Sequence, residues 1–321
     1  FYLLRALKMP PEEREVRMAG LKYREKQMDV NFWVKSFLKS VGTLVAEDGE
    51  DTLPTTMTPV SISDFDSYLT KYVGNKAVLA LLLDYDGTLS PIAPHPDLAI
   101  LPLETKKVLE RLSNRPDVFI AIVSGRGVED VKQKVGIDNV TYAGNHGLEI
   151  HHSDGSKYIH PLPDSNIGEL KDALEAEVCH DGSFVEDKGS LLTFHYRKVP
   201  VNMRNQMVDR AKELIEKFGF KIGLAHCALE CKPKIDWNKG RASIYILRRA
   251  FGVDWAERIR ILFAGDDVTD EDAILALKGM AFSFRIVSNH LTKTDADRRL
   301  PSTDSVLTLL KWVEKHMSTR K

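Results

Sequence analysis

The hydrophobic pattern of the chain is dominated by short apolar runs with amphipathic segments between them. Residues 77–83 (Ala-Val-Leu-Ala-Leu-Leu-Leu) contain no polar side chain, and residues 118–123 repeat this pattern. Such runs predict strands that are buried on both faces, as in a parallel sheet. Helical patterns at 105–112, 128–135 and 239–251 alternate with these runs. The order predicts an α/β fold with a doubly wound parallel sheet.

A different pattern occupies residues 149–232. Short alternating segments predict strands at 149–152, 157–160, 191–198, 221–225 and 228–232, with helices at 167–178 and 201–218. Short strands of this kind favour an antiparallel sheet with one covered face. We therefore expect an α+β cap domain at 149–232, inserted into a core made of 61–148 and 233–321.

The first sixty residues predict a separate segment. Residues 1–45 have a helical pattern, in which Trp33, Phe37 and Val41 recur every fourth residue. Residues 46–60 are rich in Thr, Pro and acidic side chains, which is typical of a linker. The apolar face of the helical segment is expected to pack either on this chain's own core or on a domain upstream of it.

Composition and charge indicate which partners and which cellular location to expect for the chain. The chain has 321 residues and a net charge of −1, which does not favour nucleic acid or an anionic membrane surface as a partner. No apolar run reaches the ~18 residues of a membrane span. The three cysteines, Cys179, Cys227 and Cys231, are few and odd in number, which is typical of reduced thiols and predicts a cytoplasmic protein.

Polar clusters follow the predicted strands or begin helices at four places. They contain Asp84 with Asp86, Ser124, Lys239, and the acidic run Asp266, Asp267 and Asp270. Taken singly, each has an ordinary explanation as a turn, a helix cap or a solvated side chain. Ligands in open α/β sheets bind beyond the carboxyl ends of the strands, so the four clusters are expected to meet at one site.

Together the clusters suit phosphoryl transfer. Asp84 would attack phosphorus and form an aspartyl phosphate, and Asp86 would protonate the leaving oxygen and later activate water. Ser124 and Lys239 would bind the phosphoryl oxygens. Mg²⁺ would be held by Asp84, the backbone carbonyl of Asp86 and Asp266, with Asp270 or Asp267 beside them.

The motifs themselves resemble a known superfamily. Asp-Tyr-Asp-Gly-Thr-Leu (84–89), Val-Ser-Gly-Arg (123–126), Trp-Asn-Lys-Gly (237–240) and Gly-Asp-Asp-Val-Thr-Asp-Glu-Asp (265–272) are similar, in order, to the four motifs of haloacid dehalogenase-like (HAD-like) phosphatases. Ala-Gly-Asn-His-Gly-Leu-Glu at 143–149 and the form of the last motif resemble trehalose-6-phosphate phosphatases in particular. The resemblance covers residues 63–315.

This resemblance implies trehalose 6-phosphate as substrate, Mg²⁺ as cofactor and a cap that binds the sugar. On predicted strands, His195 and Arg197 would share one face, as would Glu230 and Lys232. The substrate-binding residues that the resemblance implies are Arg126, Asn145, His146, Lys188, His195, Arg197, Glu230 and Lys232.

Residues 28–33 (Met-Asp-Val-Asn-Phe-Trp) resemble the C-terminal tail of trehalose-6-phosphate synthases. That resemblance predicts that an upstream synthase domain is fused to a phosphatase in the parent protein. Two alternatives stay open: a phosphatase or mutase for another sugar phosphate, and a silent domain that regulates a synthase. A silent domain is expected to have lost its nucleophile or metal ligands, and here the motifs are intact.

Overall fold

The computed structural model describes Met18 and residues 57–320, apart from residues 76, 94, 162–165, 190 and 226. Apart from Met18, the predicted N-terminal helical segment lies outside the described residues, as does most of the predicted linker. Helix α1 (Asp66–Val73) follows a 3₁₀ turn at Ile62–Phe65, where the backbone N–H of Ser61 donates to Asp64 Oδ2 at 2.7 Å, as in a capping box.

Among the residues that the structure describes, twelve strands form two sheets. The strands are β1 (Val78–Leu83), β2 (Val118–Val123), β3 (Thr141–Gly144), β4 (Glu149–His151), β5 (Lys157–Ile159), β6 (Phe184–Asp187), β7 (Leu192–His195), β8 (Lys221–Ala225), β9 (Ala228–Lys232), β10 (Ile259–Gly265), β11 (Phe282–Ile286) and β12 (Arg298–Leu300). The larger sheet has the order β12-β11-β10-β1-β2-β3-β4-β5, and its neighbours from β12 to β3 are parallel.

The described helices cover both faces of this sheet or belong to the cap. They are α1 (Asp66–Val73), α2 (Leu103–Ser113), α3 (Val128–Val135), α4 (Ile167–Glu177), α5 (Val201–Lys217), α6 (Lys239–Phe251), α7 (Trp255–Arg258), α8 (Val268–Ala276) and α9 (Thr303–Ser318), of which α4 and α5 belong to the cap. No helix in the described part of the chain is long and apolar enough to cross a membrane.

The central strand β1 is buried on both faces, which confirms the prediction from its apolar run. Leu79, Leu81 and Leu83 pack in one hydrophobic cluster with Trp312 of α9. Ala80 and Leu82 pack in the opposite cluster with Trp255 of α7. Because both faces are covered, polar groups of the core collect at the carboxyl ends of its parallel strands. The predicted doubly wound architecture is therefore confirmed.

The end of the large sheet differs from the sequence prediction. We expected the cap to begin at residue 149, but β4 pairs antiparallel with β3, and β5 pairs with β4. These two strands therefore extend the core sheet. The second sheet, of order β6-β7-β9-β8 and wholly antiparallel, begins only at β6.

The cap is built from this second sheet and two helices. Leu170 and Leu174 of α4 and Leu214 of α5 are buried against the sheet residues Phe194 and Leu229. Strand β7 ends at His195, three residues before the predicted end of that strand at residue 198, and a turn follows it. The opposite face of the cap sheet is turned toward the core and roofs the cavity described below.

Candidate active site

Asp84 is the first residue after β1 and lies at the floor of the site. Its side chain is 6% exposed and forms an ion pair with Lys239, whose Nζ is 2.7 Å from Asp84 Oδ1. The same Nζ is 2.8 Å from Oδ1 of Asp270, so one buried ammonium lies between two carboxylates. Asn238 caps α6 and thereby places Lys239 at the first position of that helix.

Three carboxylates meet at this point. Oxygen atoms of Asp84, Asp266 and Asp270 all lie within 4.8 Å of one another. Gly87 makes this approach possible: its φ is +74°, and a Cβ there would lie 2.0 Å from Asp266 Oδ2. Carboxylate oxygens in this arrangement are the hard donors that Mg²⁺ prefers.

The electrostatics of the trio also fit a divalent cation. Burial, with the charges of Asp270 and Asp266, raises the pKa of Asp84, while Lys239 opposes that shift. Burial and the charge of Asp270 raise the pKa of Asp266 to about 7. Burial would lower the pKa of Lys239, but the two carboxylates outweigh it and raise that pKa. One ammonium therefore compensates the cluster incompletely, and a cation among the three oxygens would relieve the remaining repulsion.

Asp267, which we also predicted near the metal, has a different set of contacts. Its side chain caps α8 by accepting from the backbone N–H of Val268, and its own N–H donates to Asp270 Oδ2 at 2.9 Å. It lines the cavity but is not one of the trio of carboxylates. In this capping box, Asp270 Oδ2 accepts from the backbone at the start of α8, and Asp270 Oδ1 accepts from Lys239 Nζ.

Asp86 is held by an arginine fork. Nε and Nη2 of Arg126 donate to its two carboxylate oxygens at 2.6 and 2.7 Å. Arg126 is in turn fixed by Asp130 at 2.8 Å and by the carbonyl of Pro96 at 2.9 Å, and it lies over the ring of Tyr85. We predicted Arg126 as a substrate-binding residue, and the structure shows that most of its N–H groups are engaged by protein oxygens.

Ser124 directly follows β2 and is 1% exposed. Its Oγ accepts from the backbone N–H of Arg126 at 3.1 Å, and its N–H donates to Ala143 at the end of β3. We refer to Ser124–Arg126 as the phosphate loop, after the predicted role of Ser124. The loop lines the same cavity as Asp84 and Lys239.

That cavity lies between the core and the cap and has a volume of about 540 Å³. This is large enough for a disaccharide phosphate by comparison with common ligand pockets. Of the predicted site residues, it is lined by Asp84, Asp86, Ser124, Arg126, His146, Lys188, His195, Arg197, Glu230, Lys239, Asp266 and Asp267. Asn145 and Lys232 line a smaller cavity of about 150 Å³ beside it, together with His146 and Lys239.

The roof of the cavity carries paired charges. Glu230 and Lys232 lie on one face of β9, as predicted, with Lys232 Nζ 2.7 Å from Glu230 Oε2. His146 of the core is 3.4 Å from Glu230. Burial alone would raise the pKa of Glu230, but His146 and Lys232 hold it well below its usual range. Glu230 is therefore an anion aimed at the cavity.

The sequence analysis missed one pair in the roof. Glu186 of β6 accepts from His195 at 2.8 Å, and Phe184 stacks on the His195 ring. Phe184 and Glu186 are two residues apart and share one face of β6. This spacing is visible in the sequence, but β6 itself was not predicted. The strand argument for Arg197 was wrong, because β7 ends at His195 and Arg197 lies in the turn that follows.

Comparison with known proteins finds relatives of one family over most of the chain. The Trehalose-phosphatase family matches residues 82–304. "Probable trehalose-phosphate phosphatase H" of Arabidopsis thaliana is 30% identical over 298 residues, covering 88% of this chain and 84% of that protein. "Trehalose-phosphate phosphatase" of Mycobacterium tuberculosis is 30% identical over 242 residues, covering 70% of this chain and 61% of that protein.

The fold has a close structural counterpart. The "C. albicans Trehalose-6-phosphate phosphatase C-terminal domain" superimposes with a TM-score of 0.66 at 24% identity, covering 81% of this chain and 99% of that one. The family match spans both motif-bearing halves of the core and the whole cap between them. The chain therefore belongs to the trehalose-phosphatase family.

Proposed function

We propose that this chain hydrolyses trehalose 6-phosphate to trehalose and inorganic phosphate through an aspartyl-phosphate intermediate. The observation that carries the proposal is the ion pair of Asp84 with Lys239 at the floor of a cavity that the cap closes. The floor offers a nucleophile and a cation for a phosphoryl group. The roof offers hydrogen-bonding side chains for sugar hydroxyls.

In the first step, a carboxylate oxygen of Asp84 attacks phosphorus and the bond from phosphorus to the sugar oxygen breaks. Asp86 gives its proton to that oxygen, so trehalose leaves as a neutral alcohol. Lys239 and Ser124 stabilise the charge on the phosphoryl oxygens. In the second step, Asp86 takes a proton from water as the water attacks the phosphoaspartate, and Asp84 leaves as a carboxylate.

Asp84, Asp266 and Asp270 are the residues that would hold Mg²⁺. The backbone carbonyl of Asp86 as a ligand, and Asp267 beside the ion, stay predictions of the sequence. When bound, the ion neutralises charge on the carboxylates and the phosphoryl oxygens. The chain's own residues orient the phosphoryl group and exclude water around it.

The proposal is tested by measuring phosphate release from trehalose 6-phosphate, with glucose 6-phosphate, sucrose 6-phosphate and mannose 6-phosphate beside it. We expect rapid release from the trehalose ester and at least about 10²-fold lower kcat/KM for the others, since they leave roof groups unpaired. Removing divalent cations with EDTA is expected to abolish release, and added Mg²⁺ to restore it. A folded sample that releases phosphate from none of these esters contradicts the proposal.

The role of Asp86 gives a prediction that depends on the leaving group. For Asp86→Asn we expect kcat/KM for trehalose 6-phosphate to fall about 10³-fold, because an alkoxide leaves poorly without a proton. The fall for p-nitrophenyl phosphate is expected to be at least tenfold smaller, since nitrophenolate leaves unprotonated. Steady-state kinetics on both substrates provides the measurement. Equal losses on both would contradict a general acid at this position.

The fusion to an upstream synthase and the cytoplasmic location stay predictions of the sequence. They are supported by the synthase-like residues 28–33 and by the three thiols, which are free in the structure. Activity of the parent protein on both reactions would test the first. A synthase reaction supplies the phosphate ester that this site would consume.

A further inference from the structure

The turn at residues 144–147, which we call the docking turn, is attached to the phosphate loop by its backbone. The N–H of Asn145 donates to the carbonyl of Arg126 at 2.7 Å, and the N–H of His146 donates to the carbonyl of Ser124 at 2.9 Å. The His146 ring also packs on Gly125, where a Cβ would lie 2.9 Å from it. A movement of this turn therefore moves the phosphate loop.

The side chains of the same two residues reach the cap. Asn145 Nδ2 donates to the carbonyl of Lys188 at 2.8 Å, and His146 Nε2 is 3.4 Å from Oε1 of Glu230. Lys188 Nζ adds a weak contact to the carbonyl of Gly125 at 3.4 Å. Polar contacts from strand β9 and from the turn between β6 and β7 thus converge on the docking turn and the phosphate loop.

The conformation of the docking turn is unusual for its residues. Asn145 and His146 have φ values of +51° and +58°, in the left-handed region that favours glycine. Its outer residues are both glycine and tightly packed: a Cβ at Gly144 would lie 2.2 Å from the N atom of Val128, and one at Gly147 would lie 2.1 Å from Ala242 Cβ. Two consecutive strained residues persist only where their surroundings fix them, as they do here.

We propose that Asn145 and His146 are positioning residues that couple cap closure on the sugar to the placement of the phosphate loop. The inference rests on the proposed function of the site. Glu230 and Lys188 are seated on the sugar only when the cap is closed, and the same closure brings them onto Asn145 and His146. The docking turn then holds Ser124 where the phosphoryl group must lie.

Two substitutions remove the coupling side chains while keeping the backbone conformation. Asn145→Gly and His146→Asn both place residues that tolerate positive φ. Together they are expected to lower kcat/KM for trehalose 6-phosphate about 30-fold, which corresponds to two hydrogen bonds at tenfold per 1.4 kcal/mol. The loss for p-nitrophenyl phosphate, which offers the cap no sugar, is expected to be several-fold smaller.

The matched control is Asp181→Gly. Asp181 also has a positive φ, +53°, but it lies in an exposed cap turn and contacts His180 instead of the core. This variant is expected to keep kcat/KM within about twofold on both substrates. A loss as large as that of the docking-turn variants would show that positive-φ replacement as such causes the effect, and would overturn the proposal.

Amide hydrogen exchange measures the coupling directly. Trehalose alone contains no phosphate, so in the wild-type protein it is expected to slow exchange in the cap peptides around Glu186 and Glu230 and also in the phosphate loop. In the double variant the cap is expected to stay protected while the loop loses protection. Protection of the loop that persists in the double variant, or equal kinetic losses on both substrates, overturns the inference.

The outcome separates this inference from the proposed function. If the wild-type protein releases phosphate from a different sugar ester, the proposed substrate is wrong. The coupling is then measured with that ester and its free sugar, using the same variants. Asn145 and His146 are assigned as positioning residues only if loop protection depends on them.

Discussion

Replacing Asp84 with asparagine is expected to lower kcat for trehalose 6-phosphate by at least about 10⁴-fold, the scale of loss seen when a covalent nucleophile is removed. The asparagine side chain has the same shape as aspartate, but its neutral amide is too weak a nucleophile to attack phosphorus and form the aspartyl phosphate. The fold is expected to stay intact, because the substitution removes one of three mutually repelling carboxylates and leaves Lys239 paired with Asp270 at 2.8 Å. Phosphate release and thermal unfolding of the same sample provide the two measurements.

A matched control is available at the other end of the sheet. Asp117 precedes β2 at its amino end and forms a two-point ion pair with Arg115 at 2.9 and 3.0 Å. Asp117→Asn also converts a paired carboxylate to an amide, and it is expected to keep kcat within about twofold. Turnover by Asp84→Asn within 100-fold of the wild-type value would remove Asp84 from its role as nucleophile.

The core of the fold was predictable because its signals are local. The apolar run of β1 has no polar position on either face, and the structure buries it between two hydrophobic clusters. Strand ends marked by Asp84 and Ser124 follow from the same pattern. Their meeting at one edge follows from a general property of parallel sheets. The four clusters were therefore expected to meet, and residues of all four line one cavity in the structure.

The parts that failed depend on partners distant in sequence. Alternation at residues 149–160 indicated strands, but it carries no information on whether they pair with β3 or with the cap. Arg197 was placed on a strand because its neighbours alternate, whereas the chain turns after His195 ahead of Pro200. Local pattern identifies elements, and tertiary pairing decides to which sheet each belongs.

Side-chain partnerships in the site were equally hidden. Arg126 lies forty residues from Asp86 in sequence, and no spacing rule connects them. The family resemblance implied that Arg126 binds substrate, but the fork on Asp86 assigns it first to the predicted acid. His146 likewise reaches Glu230 across 84 positions. Such contacts follow from the placement of the cap over the core, which the sequence pattern does not determine.

Lys239→Met is expected to remove activity and to destabilise the protein at the same time. The side chain is 3% exposed and compensates both Asp84 and Asp270. Methionine has similar length but no charge, so two buried carboxylates would lose their cation. Removing one partner of a buried ion pair typically costs about 3–5 kcal/mol of the free energy of unfolding. Denaturant unfolding in EDTA measures the loss without a metal ion to offset it.

The matched variant Lys239→Arg keeps a positive charge and is expected to lose less stability than Lys239→Met. Its kcat is still expected to fall, because a planar guanidinium does not reproduce the ammonium contacts at 2.7 and 2.8 Å. If both variants lose equal stability, packing at this position matters more than charge.

A double-mutant cycle identifies the cause of the destabilisation. Asp84→Asn removes one of the carboxylates that Lys239→Met leaves uncompensated, so the double variant is expected to be more stable than Lys239→Met alone. The coupling free energy is expected to be about 1–3 kcal/mol, as for other contacting pairs. Additive losses would mean that the ammonium does not stabilise Asp84. The Lys239 ammonium would then act only on the phosphoryl group. The stability of the buried carboxylates would have to come from the hydrogen bond that Asp270 accepts at the start of α8.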